Sequence, residues 1–393
     1  MNRRSFLTGA GTLALSYALV GCGQSNPDLR VRLLEDSIPP ELLKEFQRRV
    51  AKGKELALLP GEQLADLFQL LQTWNPQPND GTKPASGLPL PFVGSKPTPV
   101  ADLITLGDYW LAPAIQQGLV QPFQTSETSA WEKLPAQWQT LVKRDRQGKP
   151  DANGETWAAP YRWGTLMIAY RRDAFQKLGW TPQDWKDLWR SELQRYISLP
   201  DTPRAVIGLT LKKLGRSVNL ANLSEVSNLT SELEALQQQV KFYGSQDYLQ
   251  PLLLNDTWAA VGWSTEILPI VKRDRRIAAV VPSSGTILTA DLWVRPVKAP
   301  ESDNADRRQL QNQWINFYWQ PQIATQLSLL SLAASPILMG SDRSQLPEAL
   351  RQNPVLPPEA VLQRSEFLLP LSEQTTQQYQ QMWATVRQAA VRL

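Results

Sequence analysis

What most limits this chain is the alternation of two periodicities near its start. Residues 30–34 (RVRLL) change between charged and apolar with a period of two, as a half-buried strand does. Pro39-Pro40 then opens a stretch in which Leu42, Leu43, Phe46 and Val50 recur at helical spacing, and proline suits the first turn of a helix. Residues 55–59 read as a second strand, and Leu64, Leu67, Phe68 and Leu71 mark a second amphipathic helix. Residues 75–99 are rich in Pro, Gly and Ser and read as a long surface excursion, after which 100–106 resume a strand. A β-α-β-α order of this kind predicts an open α/β sheet. Further along, strands are expected over 165–170, 257–263 and 286–294. Helices are expected over 182–189, 201–215, 231–239, 310–318 and 374–391, with Asp201-Thr202-Pro203 as a capped start and Gly215 as a C-cap.

At 393 residues the chain has room for two ordinary cores. Its 41 basic and 37 acidic residues are too evenly balanced for an electrostatic nucleic-acid footprint. Histidine is absent, which excludes Ser-His and Cys-His nucleophile pairs and histidine metal sites. No phosphate-binding glycine loop and no metal-ligand spacing occurs, so no cofactor or metal is implied. The single cysteine, Cys22, ends an N-terminal run, MNRRSFLTGAGTLALSYALVGCG, with a cationic start and an apolar stretch too short to span a membrane. Arg3-Arg4 followed by Ser5-Phe6-Leu7 resembles a twin-arginine export signal, and Leu19-Val20-Gly21-Cys22 resembles a bacterial lipobox. Residues 1–21 are therefore expected to be an export signal and 22–27 a tether. Cys22 is then acylated, and the mature protein is a lipid-anchored body outside the cytoplasmic membrane. An ordinary signal with an incidental cysteine is the plainer alternative.

One acid stands out. In TILTADLWV (286–294), Asp291 sits among apolar residues on a strand, where an ionised carboxylate is costly unless something pairs with it. It either grips a ligand or is satisfied internally, by backbone amides or by Arg295.

Several segments together resemble one family. They are DLITLGDYWLAPAIQQGLVQPF (102–123), PYRWGTLMIAYRRDAF (160–175), LPDTPRAVIGLTLKKLG (199–215), YGSQDYLQPLLLNDTWAAVGWS (243–264), GTILTADLWVRP (285–296) and WINFYWQPQIATQLSLLSLAASP (314–336). In order and spacing they are similar to the periplasmic spermidine/putrescine-binding proteins of ABC transporters. The resemblance implies an α/β, type II, two-lobed binding protein, each lobe a mixed sheet flanked by helices, with crossovers between lobes that act as a hinge. It places lobe 1 at 28–165 with 290–336, and lobe 2 at 166–289 with 337–393. It also implies a small cationic solute, polyamine-like, an ABC permease as partner, and a monomer without enzymatic activity. Tyr109, Ser245, Trp263 and Asp291 fall on its ligand-contacting positions.

This chain also departs from the pattern. Thr202 and Ala205 stand where the family commonly carries carboxylates, Leu34, Glu35 and Ser37 where it presents aromatic residues, and Ala333 and Leu368 where it has a tyrosine and a glutamine. An unpartnered desolvated ammonium costs several kcal/mol, a large part of the roughly 8 kcal/mol of a micromolar affinity. A diamine thus needs replacement acids. Glu35 and Asp36, at the end of the first strand, are the candidates, with solvated loop acids as the alternative. Asp108 reads as a helix N-cap. Without replacements, a helix start at Thr202–Arg204 lacking acids favours an anionic or zwitterionic group. Trp163 and Trp293 read as core, and the basic clusters 143–149 and 271–276 as solvated faces, or as docking surfaces for a permease or anionic lipid. The other readings are a ferric-ion carrier, an enzyme working through carboxylates, and a member that has lost its pocket.

Overall fold

The computed structural model describes residues 26–76, 98–124, 131–132, 134–300 and 305–391. Residues 1–25, with the expected export signal and Cys22, and residues 77–97 of the excursion lie outside the described residues.

Strand β1 (Leu29–Leu34) buries Leu29, Val31 and Leu33 and pairs in parallel with β2 (Leu56–Gly61) on one side and β3 (Leu103–Gly107) on the other. The connecting helices are α1 (Pro40–Arg49), which buries Leu42 and Phe46, and α2 (Leu64–Trp74), which buries Leu67, Phe68 and Leu71. The apolar spacing of both helices supplies one buried stripe each, as a sheet-covering helix requires. The principal strands that follow are β4 (Ala159–Arg171), β5 (Ile197–Pro200), β6 (Val240–Gly244), β7 (Ala259–Trp263), β8 (Ile277–Val280) and β9 (Ile287–Pro296).

Strand β4 joins two pairing regions. Its first half pairs antiparallel with β9, which itself pairs antiparallel with β3. From Leu166 onward β4 pairs instead with β7 and β8. Strand β7 then runs parallel to β5, and β5 parallel to β6. The order is β2-β1-β3-β9-β4-β7-β5-β6, with β8 off this path against β4. A strand of thirteen residues is long for a globular protein, and here its length is what joins the two regions.

Two cores form. The larger packs α1, α2 and α3 (Ala305–Tyr318) around an aromatic cluster: Tyr161 stacks on Trp293 at 4.3 Å, and Trp314 meets Trp293 edge-on at 5.6 Å and Phe46 at 4.9 Å. Leu338, Leu350 and Phe367 belong to this core too. The second gathers Trp185, Leu199, Ile207, Leu233, Val261, Ile287 and Trp383. Trp163 and Trp293 are both core residues, with the Trp163 indole donating to the Ser335 carbonyl at 3.1 Å.

Three expectations are corrected. Residues 182–189 form only a short 3-10 turn, Trp185–Trp189, because Asp184 and Asp187 cap one another tightly and Trp185 is drawn inward to donate to the Gly285 carbonyl at 2.8 Å. The helix of the 201–215 stretch is Pro203–Lys213. Asp201 does not cap it, since its carboxylate accepts from the Trp383 indole at 3.2 Å, and Thr202 at the N-cap makes no side-chain bond. In the 143–149 cluster Arg144 is buried and donates to the Leu141 carbonyl at 2.7 Å, so that cluster is not wholly a solvated face. Among the described residues no helix is long and apolar enough to cross a membrane.

Gly285 precedes β9 with φ +94°, and a Cβ there meets the Arg364 carbonyl. Gly179 also has positive φ, but with open space around it. Both alanine variants bear the left-handed penalty of about 1–2 kcal/mol. Only Gly285→Ala adds a backbone clash, so urea denaturation should show it losing clearly more stability than Gly179→Ala. Equal losses contradict the packing described.

Candidate functional site

The carboxyl ends of β1, β3 and β7 all open toward one space, a cleft of about 2650 Å³. That exceeds the few hundred to roughly 1,000 Å³ of an enclosed small-molecule site, as expected of an open groove. Strands β4 and β9 provide its floor through Arg162, Gly164, Thr289 and Asp291. One wall comes from the side of β1 and β3: Leu34, Glu35, Asp36, Asp108 and Tyr109. The other comes from the side of β5, β6 and β7: Thr202, Arg204, Ser245, Tyr248, Trp263 and Glu266. Gln246 donates to Gln63 across the gap at 2.9 Å.

Every sequence-derived ligand candidate among the described residues borders this cleft: Asp291, Trp263, Tyr109, Ser245, Glu35, Asp36 and Thr202. They differ in setting. Glu35, Asp36, Thr202 and Ser245 are exposed, Tyr109 is 49% exposed, and Trp263 is half-buried at the end of β7, leading into the helix Ser264–Arg273. Asp36 stands at φ +56°, in the left-handed region. Of the positions that depart from the family pattern, Leu34 and Leu368 give apolar wall, whereas Ser37, Ala205 and Ala333 are buried.

Asp291 is 8% exposed, and its partner is neither backbone amides nor Arg295. It is the Arg162 side chain, whose Nε donates to Asp291 Oδ2. The two residues are directly opposite in the β9–β4 ladder, and the register shifts immediately beyond them, between Asp291 and Leu292. Leu292 faces Pro160, so Tyr161 is left as an extra residue in β4. A bulge of this kind bends the strand and re-aims neighbouring side chains. Burial works against the Arg162 charge, but the charge of Asp291 and the hydrogen bond to it, with Tyr161 contributing, hold the guanidinium above its ordinary value.

Asp108 corrects another expectation. Gly107, not Asp108, is the N-cap of the short turn Asp108–Trp110. The Asp108 carboxylate reaches sideways to β9, where Oδ1 accepts from Thr289 Oγ1 at 3.1 Å and from the Ala290 amide at 3.2 Å. Burial pushes its pKa up to about 7, against the lowering effect of those two hydrogen bonds; the Asp291 charge pushes the same way as burial, and Arg144 the opposite way. On the far wall the Tyr248 hydroxyl donates to Glu266.

Residue-by-residue reading missed Arg162, Glu266 and the Gln63–Gln246 bridge. Arg162 did leave a signal, since YRWGTLMIAY carries one lone cation in an apolar strand, as TILTADLWV carries one lone anion. Among the described residues no group of three or more His, Cys, Asp or Glu side chains is arranged to hold a metal ion.

Residues 98–360 match the family model described as bacterial extracellular solute-binding protein. The chain belongs to that family. The spermidine/putrescine-binding periplasmic protein of Escherichia coli is 23% identical to this family member over 352 residues, covering 87% of this chain and 89% of the relative. The putrescine-binding periplasmic protein of the same organism is 24% identical over 294 residues, covering 69% and 74%. Among solved structures, the spermidine/putrescine ABC transporter substrate-binding protein of Streptococcus pneumoniae has a TM-score of 0.73 at 20% identity and covers 92% of this chain and 99% of its own. A Mycobacterium tuberculosis protein solved with glycerophosphocholine reaches 0.66 at 14% identity, covering 93% and 98%. The resemblance drawn from the sequence segments holds, and the fold is that of the two-lobed solute-binding proteins. A shared fold does not fix the solute.

Removing one member of a buried ion pair leaves the other charge unpaired, at about 3–5 kcal/mol. Asp291→Ala and Arg162→Ala should each lose about that much in urea denaturation, and the double variant clearly less than their sum. Additive losses contradict the pairing.

Proposed function

We propose that this protein is the extracytoplasmic solute receptor of an ABC importer and that its solute is a small organic amine, of the polyamine class for which its relatives are named. The observation that carries this reading is the composition of the cleft. Tyr109 and Trp263 face it from opposite walls, and carboxylates lie at its floor and sides. Aromatic faces hold a methylene chain and a neighbouring cation, and carboxylates hold ammonium groups.

In this reading the two walls close on the solute about β4 and β9. Lobe 1 comprises 28–165 with 290–336, and lobe 2 comprises 166–289 with 337–393. Closure is driven by tighter binding of the solute to the closed form, and the permease recognises that form. The protein acts as a monomer, performs no chemistry, and is held outside the cytoplasmic membrane by acylated Cys22. The absence of histidine in the whole chain supports a receptor over an enzyme.

A zwitterionic amine is a second reading. Arg162 beside Asp291 presents both signs of charge at the floor, and the helix beginning at Pro203 has no acid in its first turn, which leaves that end favourable to an anionic group.

Thermal unfolding with putrescine, spermidine, amino acids, sugars and ferric salts tests these readings. A specific solute at about one hundred times its dissociation constant stabilises by about 2.7 kcal/mol. Stabilisation by polyamines is expected, and stabilisation by amino acids alone selects the zwitterionic reading. Response to sugars or iron only contradicts both, no response indicates a member that has lost its pocket, and turnover of a solute indicates an enzyme.

A further inference from the structure

The cleft holds two buried carboxylates, Asp108 just past the end of β3 and Asp291 within the adjacent β9, and they are not equivalent. Asp291 has its counter-ion in Arg162. Asp108, 6% exposed and bordering the same cleft, has none: both of its hydrogen bonds arrive at Oδ1, and among the described residues no lysine or arginine forms an ion pair with it. Arg144 forms no ion pair with it and acts on it through its charge; the Arg144 Nε is engaged with the Leu141 carbonyl, while its buried Nη1 has no hydrogen-bond partner. A buried carboxylate without a counter-ion either holds a proton or waits for a cation. We propose that Asp108, through its free Oδ2 edge, is the residue that receives an ammonium group of the solute, with Tyr109 beside it against the alkyl chain. This rests on reading the cleft as a receptor for an organic amine.

The setting makes capture proton-linked. Burial and the Asp291 charge favour the protonated carboxyl, while the Thr289 hydroxyl, the Ala290 amide and Arg144 favour the ionised one. The remaining ionisable neighbours are Tyr109, Arg162, which is spent on Asp291, and Glu266 across the cleft. When the ammonium arrives, the Asp108 carboxyl gives its proton to solvent, the amine keeps all of its own, and a carboxylate–ammonium pair remains. Amine affinity therefore rises with pH until Asp108 is ionised in the free protein, and flattens above that.

The test is calorimetric titration of the full chain with putrescine and with spermidine between about pH 5.5 and 8.5, in buffers of different ionisation enthalpy. The wild type should gain about tenfold or more in affinity from the acid to the alkaline end and release close to one proton per amine in the acid half. Asp108→Asn keeps an acceptor for Thr289 and Ala290 but loses the charge. It should bind about tenfold or more weakly at alkaline pH, with a flat profile and no proton release. A variant that matches the wild type in affinity and pH profile overturns this role for Asp108 and leaves the receptor reading intact. Should the variant fail to fold, the wild-type proton count decides, and zero release across the range overturns the proposal. A wild type that takes up neither amine sinks the amine reading and this inference with it.

Discussion

The arrangement rests on two adjacent antiparallel strands, β4 and β9, and on the Arg162–Asp291 pair where they lie opposite one another. Strand β4 pairs with β9 over its first half and with β7 and β8 over the rest, so the cleft floor and the junction between the two pairing regions are the same piece of chain. The carboxyl ends of β1, β3 and β7 converge on that floor, which brings residues from opposite ends of the sequence to one space. The bulge at Tyr161 of β4, opposite Asp291 and Leu292, stands between the polar pair of the floor and the aromatic core that holds Tyr161 and Trp293.

Buried ion pairs are seldom net stabilisers compared with apolar residues of the same size. The value of this one lies elsewhere. It gives the floor a fixed, nearly neutral polar surface instead of a bare negative charge. The electrostatic contrast in the cleft then falls on the acids that have no such partner, of which Asp108 is the buried one and Glu35 and Asp36 are the exposed ones. The aromatic cluster of Tyr161, Trp293 and Trp314 packs next to the floor, whereas Tyr109 and Trp263 on the side walls are partly exposed to the cleft.

Much of the fold was legible because local pattern and tertiary context agree. The alternation over 30–34 and the helical spacing of Leu42, Phe46 and Val50 each became the element they announce, and the six family-like segments carried the architecture. The site was legible only in outline. Asp291 stood out as an anomaly, yet its partner lies 129 positions away, and cross-strand register over such a distance depends on how two remote strands pair and on a bulge between them. Asp108 was misread for a similar reason, since Gly-Asp ahead of a turn looks like a cap when only neighbours are weighed, and the donors that claim it are on β9. The short turn at Trp185–Trp189 failed as a helix because two capping aspartates and a tertiary hydrogen bond to Gly285 outweighed local spacing.

If the shared strands are a hinge, a bound solute must draw the two walls together over the floor. Small-angle X-ray scattering of the protein with and without a saturating amine measures this directly. A smaller radius of gyration and a shorter maximum dimension in the saturated protein are expected. An unchanged scattering curve, with saturation established independently, contradicts closure about β4 and β9.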